Sequence, residues 1–345
     1  MNPGWSESTA ALAHGGRILA AARHYGIAPD GWLDLSTGIN PHGWPVPALP
    51  STCWQRLPED DDGLVAAART YYGAAHILPV AGSQAALQML PRLRPACRVG
   101  VLTPGYAEHA LAWRRAGHRV QPVSVPELPD AVAQCDVMVL ISPNNPTGER
   151  FNPERLLDWH GALAARGGWL VVDEAFMDMT PETSLCAADA RTGLIVLRSL
   201  GKFFGLAGLR MGFVCAVPAL LDRLSAALGP WAVSTPARHV ACTALADRVW
   251  QADMRKRLAA DGGRLHDLLV RHGLAPTGGC DLFQWVATPL AADRHTALAR
   301  QGILTRYFDQ PPSLRFGLPG SEPEWARLET ALLAVHGTPT GTGSP

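Results

Sequence analysis

The chain has 345 residues, of which 47% are apolar, and its formal net charge is zero. This length predicts about two domains with a large core, and the balanced charge argues against a nucleic-acid or membrane-surface partner. The seven cysteines show no CxxC spacing, so we expect neither a zinc site nor a disulfide framework, and a reducing cytoplasm fits best. The N-terminal residues do not resemble a signal peptide, and no apolar stretch is long enough to span a membrane.

The first two thirds of the chain alternate between short β-rich runs and helix-like segments. The predicted strands are 98–104, 118–125, 136–143, 168–176, 193–200 and 212–217, and the predicted helices are 83–93, 106–116 and 153–166. This alternation predicts an α/β fold whose mainly parallel sheet is covered by helices on both faces. Ligands of such sheets gather at the carboxyl ends of the strands.

The pattern changes after about residue 235, which predicts a second, smaller α+β domain. Its predicted elements are a helical region at 236–272, a strand at 281–287, a helix at 290–301 and strands at 302–308 and 313–318. We therefore expect an N-terminal arm (1–40), a large domain (41–235), a small domain (236–336) and a disordered tail (337–345).

One lysine stands out in the segment RSLGKFFGLAGLRMGF, residues 198–213. The chain uses arginine almost throughout, and its two lysines are Lys202 and Lys256. Arginine stays protonated in proteins, whereas a desolvated lysine can act as an amine nucleophile. Ser199 and Arg210 lie in the same glycine-rich loop, so the loop could hold a phosphate and a carbonyl together. A surface lysine without function is the simpler alternative, and the spacing does not match a P-loop.

Other polar or aromatic residues follow the predicted strands, and each also has an ordinary structural explanation. Asp173 could cap a loop, Asn145 in SPNNPTG could form a turn, and Tyr106 could be a packing residue. Residues 82–84 (Gly82, Ser83, Gln84) open a predicted helix, where free N–H groups can bind an anion. Their joint order along the chain is harder to explain by chance.

That order resembles the fold type I pyridoxal-phosphate enzymes, in the aminotransferase class I/II group, over roughly residues 14–335. The resemblance implies that Lys202 forms the covalent link to pyridoxal 5'-phosphate in the large domain. It also implies that Asp173 meets the ring nitrogen, Asn145 the ring oxygen and Tyr106 the ring face. The implied phosphate-binding residues are Gly82, Ser83, Gln84, Ser199 and Arg210.

Two further segments narrow the resemblance to the threonine-phosphate decarboxylases of cobalamin biosynthesis. These are HGGR at 14–17 and LDLSTGINPHGWP at 33–45. Histidinol-phosphate aminotransferases usually carry a tyrosine where this chain has Phe176, so this residue favours the decarboxylases. One departure from the family pattern is Gly201, which stands where a serine or threonine often precedes the lysine. The resemblance implies loss of CO2 from L-threonine O-3-phosphate to give (R)-1-aminopropan-2-yl phosphate.

Two other functions stay open at this point. An aminotransferase of the same group would share every cofactor residue. A non-catalytic effector-binding domain would need a DNA-binding module, for which residues 1–35 are too short and insufficiently basic.

The resemblance also implies a substrate site and a homodimer. Arg315 would bind the substrate carboxylate with Asn40 beside it, while Arg306 and His14, next to Gly15, would hold the substrate phosphate. Arg306 and His14 could equally be ordinary surface residues.

The register of the last two predicted strands can be estimated from their loop. If residues 309–312 form a hairpin with Phe308 opposite Ser313, Arg306 lies directly opposite Arg315. Two like charges in this position are destabilising unless anions lie beside them, and a substrate with a carboxylate and a phosphate supplies two.

Overall fold

The computed structural model describes residues 14–336, which form two β-sheets and the helices packed around them. The strands are β1 (Leu33–Leu35), β2 (Ile77–Val80), β3 (Arg98–Leu102), β4 (Arg119–Val123), β5 (Val137–Ile141), β6 (Trp169–Asp173), β7 (Leu194–Ser199), β8 (Gly212–Cys215), β9 (Gly278–Cys280), β10 (Phe283–Ala287), β11 (Ile303–Phe308) and β12 (Ser313–Gly317). The helices are α1 (Ile18–Tyr25), α2 (Thr52–Gln55), α3 (Leu64–Tyr72), α4 (Ser83–Met89), α5 (Glu108–Arg115), α6 (Leu128–Gln134), α7 (Pro153–Ala164), α8 (Pro218–Leu228), α9 (Thr235–Ala246), α10 (Arg248–Arg271), α11 (Ala291–Ala299) and α12 (Glu322–His336). None of these helices combines the length and the apolarity that crossing a lipid bilayer requires.

The larger sheet has seven strands in the order β2-β8-β7-β6-β5-β3-β4. Six of its strands run in the same direction and β8 alone is reversed, so the expectation of a mainly parallel sheet is confirmed. Every residue of β5 and β7 is buried because helices cover both faces. Along β6 and β7, successive side chains point to opposite faces of the sheet. Val172 and Val196 therefore belong to one hydrophobic core, and Val171 and Ile195 belong to the core on the other face.

The second sheet has five strands in the order β1-β11-β12-β10-β9. β1, from the start of the described chain, pairs in parallel with β11, which lies near its end. The sequence predicted β10, β11 and β12 but not β1 or β9, which have three residues each. The domain boundaries remain predictions, and the proposed tail at 337–345 lies outside the described residues.

Two predicted helices differ from the observed ones for local reasons. The region 236–272 is two helices, because the Asp247 carboxylate caps α10 by accepting a hydrogen bond from the Trp250 N–H at 3.0 Å. The helix predicted at 83–93 ends as an α-helix at Met89, and a 3-10 turn follows. Pro91 has no N–H to donate to the carbonyl oxygen four residues earlier, so the α-helical hydrogen-bond pattern is interrupted there.

Candidate active site

Three neighbouring parallel strands place their final residues at one edge of the seven-stranded sheet. Asp173 is the last residue of β6 and Ser199 is the last residue of β7, the strand beside it. Asn145 follows β5 on the other side of β6, and Lys202 lies three residues beyond Ser199. The parallel topology therefore brings residues from distant parts of the sequence to one edge.

Lys202 is held in a tight loop against an aromatic ring. Its carbonyl oxygen accepts hydrogen bonds from the N–H groups of Asn40 at 3.0 Å and Gly205 at 3.1 Å. Its Nζ lies 5.4 Å from the centroid of the Phe176 ring. Burial, reinforced by the positive charge of Arg315, lowers the pKa of Lys202 from 10.5 to about 8. About a tenth of the amine would then be neutral at pH 7, whereas an ordinary lysine is almost wholly charged.

We expect this lowered pKa to be measurable because the chain has two lysines. In the cofactor-free protein labelled with ¹³C at the lysine Cε, one of the two NMR signals should titrate with a midpoint of about 8. Lys202→Ala should remove that signal and leave the signal of the exposed Lys256. A Lys202 midpoint near 10.5 would contradict the desolvation argument.

Asp173 is almost fully buried and has two partners within the protein. Its Oδ2 lies 2.9 Å from Nε2 of His109, a buried residue of α5, and its Oδ1 accepts a hydrogen bond from the Ala175 N–H at 3.0 Å. The carboxylate is therefore fixed at the strand end. A buried carboxylate in this position can hold a positive charge on a bound heterocycle.

The start of α4 lies against the guanidinium of Arg210. Gly82, which precedes the helix, has φ +73°, and a Cβ there would lie 2.8 Å from Arg210 Nη2. A Cβ on Gly212, in β8, would lie 2.6 Å from the Ser83 nitrogen. The first N–H groups of a helix have no partner within it, so these N–H groups and Arg210 form a cradle for an anion.

Two further predicted cofactor residues lie beside this cradle. Ser199 Oγ accepts a hydrogen bond from the Gly201 N–H at 3.2 Å. The Tyr106 hydroxyl donates to Gln84 Oε1 at 3.2 Å, and burial raises the pKa of Tyr106 to about 12. Tyr106 therefore stays a neutral ring next to the helix start.

Arg315 and its hydrogen-bond partners form a second charged region of the site, apart from the cradle at Arg210. We call this region the Arg315 corner. Its guanidinium donates to Asn145 Oδ1 and, at 2.7 Å, to the Ser36 carbonyl oxygen. Since Oδ1 of Asn145 takes this bond, its amide Nδ2 remains as the donor for a ligand. The predicted register is confirmed, because Arg306 of β11 lies directly opposite Arg315 of β12. Burial and the charge of Arg306 lower the pKa of Arg315 to about 10.

The structure places the remaining predicted substrate residues in other contacts. The Asn40 amide donates to the Phe203 carbonyl at 2.7 Å and accepts from the His42 N–H at 2.8 Å. Asn40 therefore braces the loop that carries Lys202, and its contact with substrate remains a prediction. His14 Nε2 lies 2.9 Å from Glu108 Oε1, and Gly15 lies against the Ser36 carbonyl.

Comparison with known proteins identifies the family. Residues 63–332 match the family described as aminotransferase class I and II. The chain belongs to this family. It is 57% identical to a threonine-phosphate decarboxylase of Pseudomonas aeruginosa over 93% of this chain and 97% of the relative. It is 41% identical to the threonine-phosphate decarboxylase of a Sinorhizobium species, over 95% of this chain and 99% of that relative.

A solved structure shows that the fold is shared as well. The histidinol-phosphate aminotransferase of Sinorhizobium meliloti, in complex with pyridoxal-5'-phosphate, aligns with a TM-score of 0.78 over 95% of this chain and 99% of that one. At 21% identity this likeness concerns the fold alone. The expectation of a class I and II aminotransferase fold is confirmed.

Sequence reasoning missed a buried ionic cluster that supports this aminotransferase-type site. Arg198 donates to Glu174 Oε2 at 2.8 Å and to Asp178 Oδ1 at 2.6 Å, and all three side chains are fully buried. Glu174 follows Asp173, and Arg198 precedes Ser199, so the cluster ties the ends of β6 and β7 together. The signal available in the sequence was Arg198 itself, a charge within an apolar strand.

Proposed function

We propose that this chain is a pyridoxal-phosphate-dependent carboxy-lyase acting on L-threonine O-3-phosphate in cobalamin biosynthesis. The products would be CO2 and (R)-1-aminopropan-2-yl phosphate. The observation that carries the proposal is the opposed pair Arg306 and Arg315 beside the partly neutral amine of Lys202. A substrate with two acidic groups matches two neighbouring guanidiniums. The name of the relative that is 57% identical supports the same reaction.

The residues present fit pyridoxal phosphate. The cradle at Gly82 and Arg210 suits a phosphate, the buried Asp173 suits a protonated ring nitrogen, and Nδ2 of Asn145 suits a ring oxygen. Gln84, Ser83, Ser199 and Tyr106 complete the proposed set. When bound, the cofactor supplies a sink for the electrons left on the substrate α-carbon after CO2 departs.

The protein's own groups would orient the substrate and move a proton. Arg315 would hold the carboxylate and Arg306 the phosphate, and these two anchors set which bond to the α-carbon is weakened. The Nζ of Lys202, with its pKa near 8, can accept and return a proton near neutral pH. Phe176 offers no hydroxyl at the position next to Lys202, which leaves the amine less constrained.

Incubation with L-threonine O-3-phosphate tests the function directly. Decarboxylation predicts stoichiometric release of CO2, while the cofactor absorbance returns to its starting form without an added keto acid. A histidinol-phosphate aminotransferase or related enzyme would instead retain the cofactor as the amine. That outcome, with no CO2, would overturn the proposal.

Substitutions of the paired arginines should separate the two anchors. Arg306→Lys should raise KM for threonine phosphate about tenfold, since lysine loses the planar two-bond fork, and should leave unphosphorylated threonine almost unaffected. Arg315→Lys should impair both substrates, because Arg315 also holds Asn145 and Ser36. Steady-state kinetics with both substrates measures this, and equal proportional losses in both variants would contradict the assignment.

The protein is further proposed to act as a homodimer in the cytoplasm. Trp54, Leu57 and Trp231 are 69%, 62% and 60% exposed. The Thr235 hydroxyl donates a hydrogen bond of 3.0 Å to the carbonyl oxygen of Arg56. This bond joins the segment of Trp231 to the segment of Trp54 and Leu57, so the three apolar side chains share one region of surface. Such an exposed apolar region favours association with a second copy. All seven cysteines are free thiols, which suits a reducing compartment.

A further inference from the structure

Glu108, in the first turn of α5, is a point where three hydrogen-bonding side chains meet at the edge of the candidate site. Its Oε1 lies 2.9 Å from His14 Nε2. Its Oε2 accepts hydrogen bonds from Gln84 Nε2 at 3.3 Å and Gln88 Nε2 at 3.1 Å. The Glu108 side chain is 13% exposed, so most of its hydrogen-bonding capacity is directed to these neighbours.

These contacts fix the direction of hydrogen bonds in the site. An ionised carboxylate only accepts, so Gln84 must turn its Nε2 toward Glu108. Gln84 Oε1 then faces Tyr106 and accepts the hydroxyl proton. For the same reason His14 must present a protonated Nε2 to Glu108. One carboxylate thus sets the orientation of two predicted site residues on different segments.

The contact with His14 also draws the N-terminal arm across the site. Gly15 is packed so closely on Ser36 that a Cβ would lie 2.3 Å from the Ser36 carbonyl oxygen. The same oxygen accepts a hydrogen bond from Arg315. The adjacent His14 reaches Glu108, with its ring centroid 5.9 Å from that of Tyr106. Residues 14 and 15 therefore connect the Arg315 corner with the Tyr106 side of the site.

We propose that Glu108 is a positioning residue that holds His14 at the site so that Nδ1 of His14 donates to the phosphate of the substrate. This inference rests on the function proposed above. An imidazolium carries a proton on each ring nitrogen, so one ring can donate to Glu108 through Nε2 and to a phosphate through Nδ1. The His14 side chain is 42% exposed, which leaves it accessible to a ligand.

The negative charge of Glu108 also repels an incoming phosphate. Two opposing effects, this repulsion and the orientation of His14, therefore decide whether Glu108 strengthens or weakens phosphate binding. The Glu108 carboxylate is hydrogen-bonded to His14. A positively charged His14 ring between this carboxylate and the phosphate offsets the negative charge of Glu108. A charge-assisted hydrogen bond at contact distance is stronger than the interaction of two charges that are separated by more than a few ångströms near solvent. Orientation of His14 therefore outweighs repulsion.

Kinetics of the cofactor-loaded enzyme tests the proposal with the variants Glu108→Gln, His14→Gln and their combination. Glu108→Gln should raise KM for threonine phosphate about tenfold, change kcat less, and leave KM for plain threonine unaltered. In its KM for threonine phosphate the double variant should resemble His14→Gln alone, since Glu108 acts on the substrate phosphate through His14. Glu154→Gln is the matched control, because Glu154 also lies in the first turn of a helix, α7, and is exposed.

A second measurement does not depend on turnover. Calorimetry with inorganic phosphate and the cofactor-loaded protein should show weaker binding to Glu108→Gln than to wild type. If wild type releases no CO2 but this difference is present, the proposed reaction fails and the role of Glu108 stands. An unchanged or lower KM, additive effects in the double variant, or equal affinity for phosphate overturns it. If Glu108→Gln does not fold, Glu108→Asp, which draws the carboxylate away from His14, should show the same rise in KM.

Discussion

Replacing Lys202 with alanine is expected to abolish the covalent attachment of pyridoxal phosphate and to lower activity by more than about a thousandfold. The substitution removes the amine whose pKa is lowered to about 8, and with it both the nucleophile and the group that moves protons. Borohydride treatment followed by mass spectrometry should find the reduced cofactor on the Lys202 peptide of wild type. The variant should carry none.

Lys256→Ala is the matched control, because the Lys256 side chain is 80% exposed on α10. It should keep the yellow colour, the reducible linkage and the activity. A wild-type protein that stays colourless with excess cofactor would refute the assignment of the whole site. A Lys202→Ala protein that retains the linkage would refute the assignment of this residue.

Asp173→Ala should cost about 3 kcal/mol or more of transition-state stabilisation, comparable to losing one preorganised electrostatic group. The structure gives two reasons. The carboxylate is the buried negative charge at the end of β6, and its loss would leave Nε2 of His109 without its partner at 2.9 Å. The value of kcat/KM for threonine phosphate measures the effect.

Two further variants separate charge from geometry at this position. Asp173→Asn keeps the size and a hydrogen bond to His109 but removes the charge, so it should be nearly as impaired as Asp173→Ala. Asp173→Glu keeps the charge but displaces it by one methylene, and it should recover little. Activity within threefold of wild type in Asp173→Ala would mean that another group meets the ring nitrogen.

Parts of the site were predictable because they follow strands directly in sequence. Asp173 and Ser199 end β6 and β7, so recognising the strands was enough to place both residues at one edge. The pairing of Arg306 with Arg315 followed from loop length and the alternation of side chains, which fix a hairpin register.

Other contacts could not be predicted, because they depend on how separate elements pack. His109 reaches Asp173 only through the rotation of α5 about its axis, and a histidine three residues after Tyr106 has no distinctive spacing. The contact of Glu108 with His14 joins residues 94 positions apart. The Asn40 amide braces a loop more than 160 residues away, at Phe203, and nothing in its local sequence indicates that partner.

The pairing of β1 with β11 has a consequence for synthesis on the ribosome. Leu33 cannot pair until Ile303 has been synthesised, and at about 5 to 20 residues per second this interval lasts roughly 14 to 54 seconds. Strands β3 to β8 have already emerged by then, so the sheet that carries Lys202 can form while translation continues. Ser36 meets Arg315 only at the end of elongation. A nascent chain can therefore assemble the proposed cofactor cradle well before Arg315, the proposed substrate anchor, is in place.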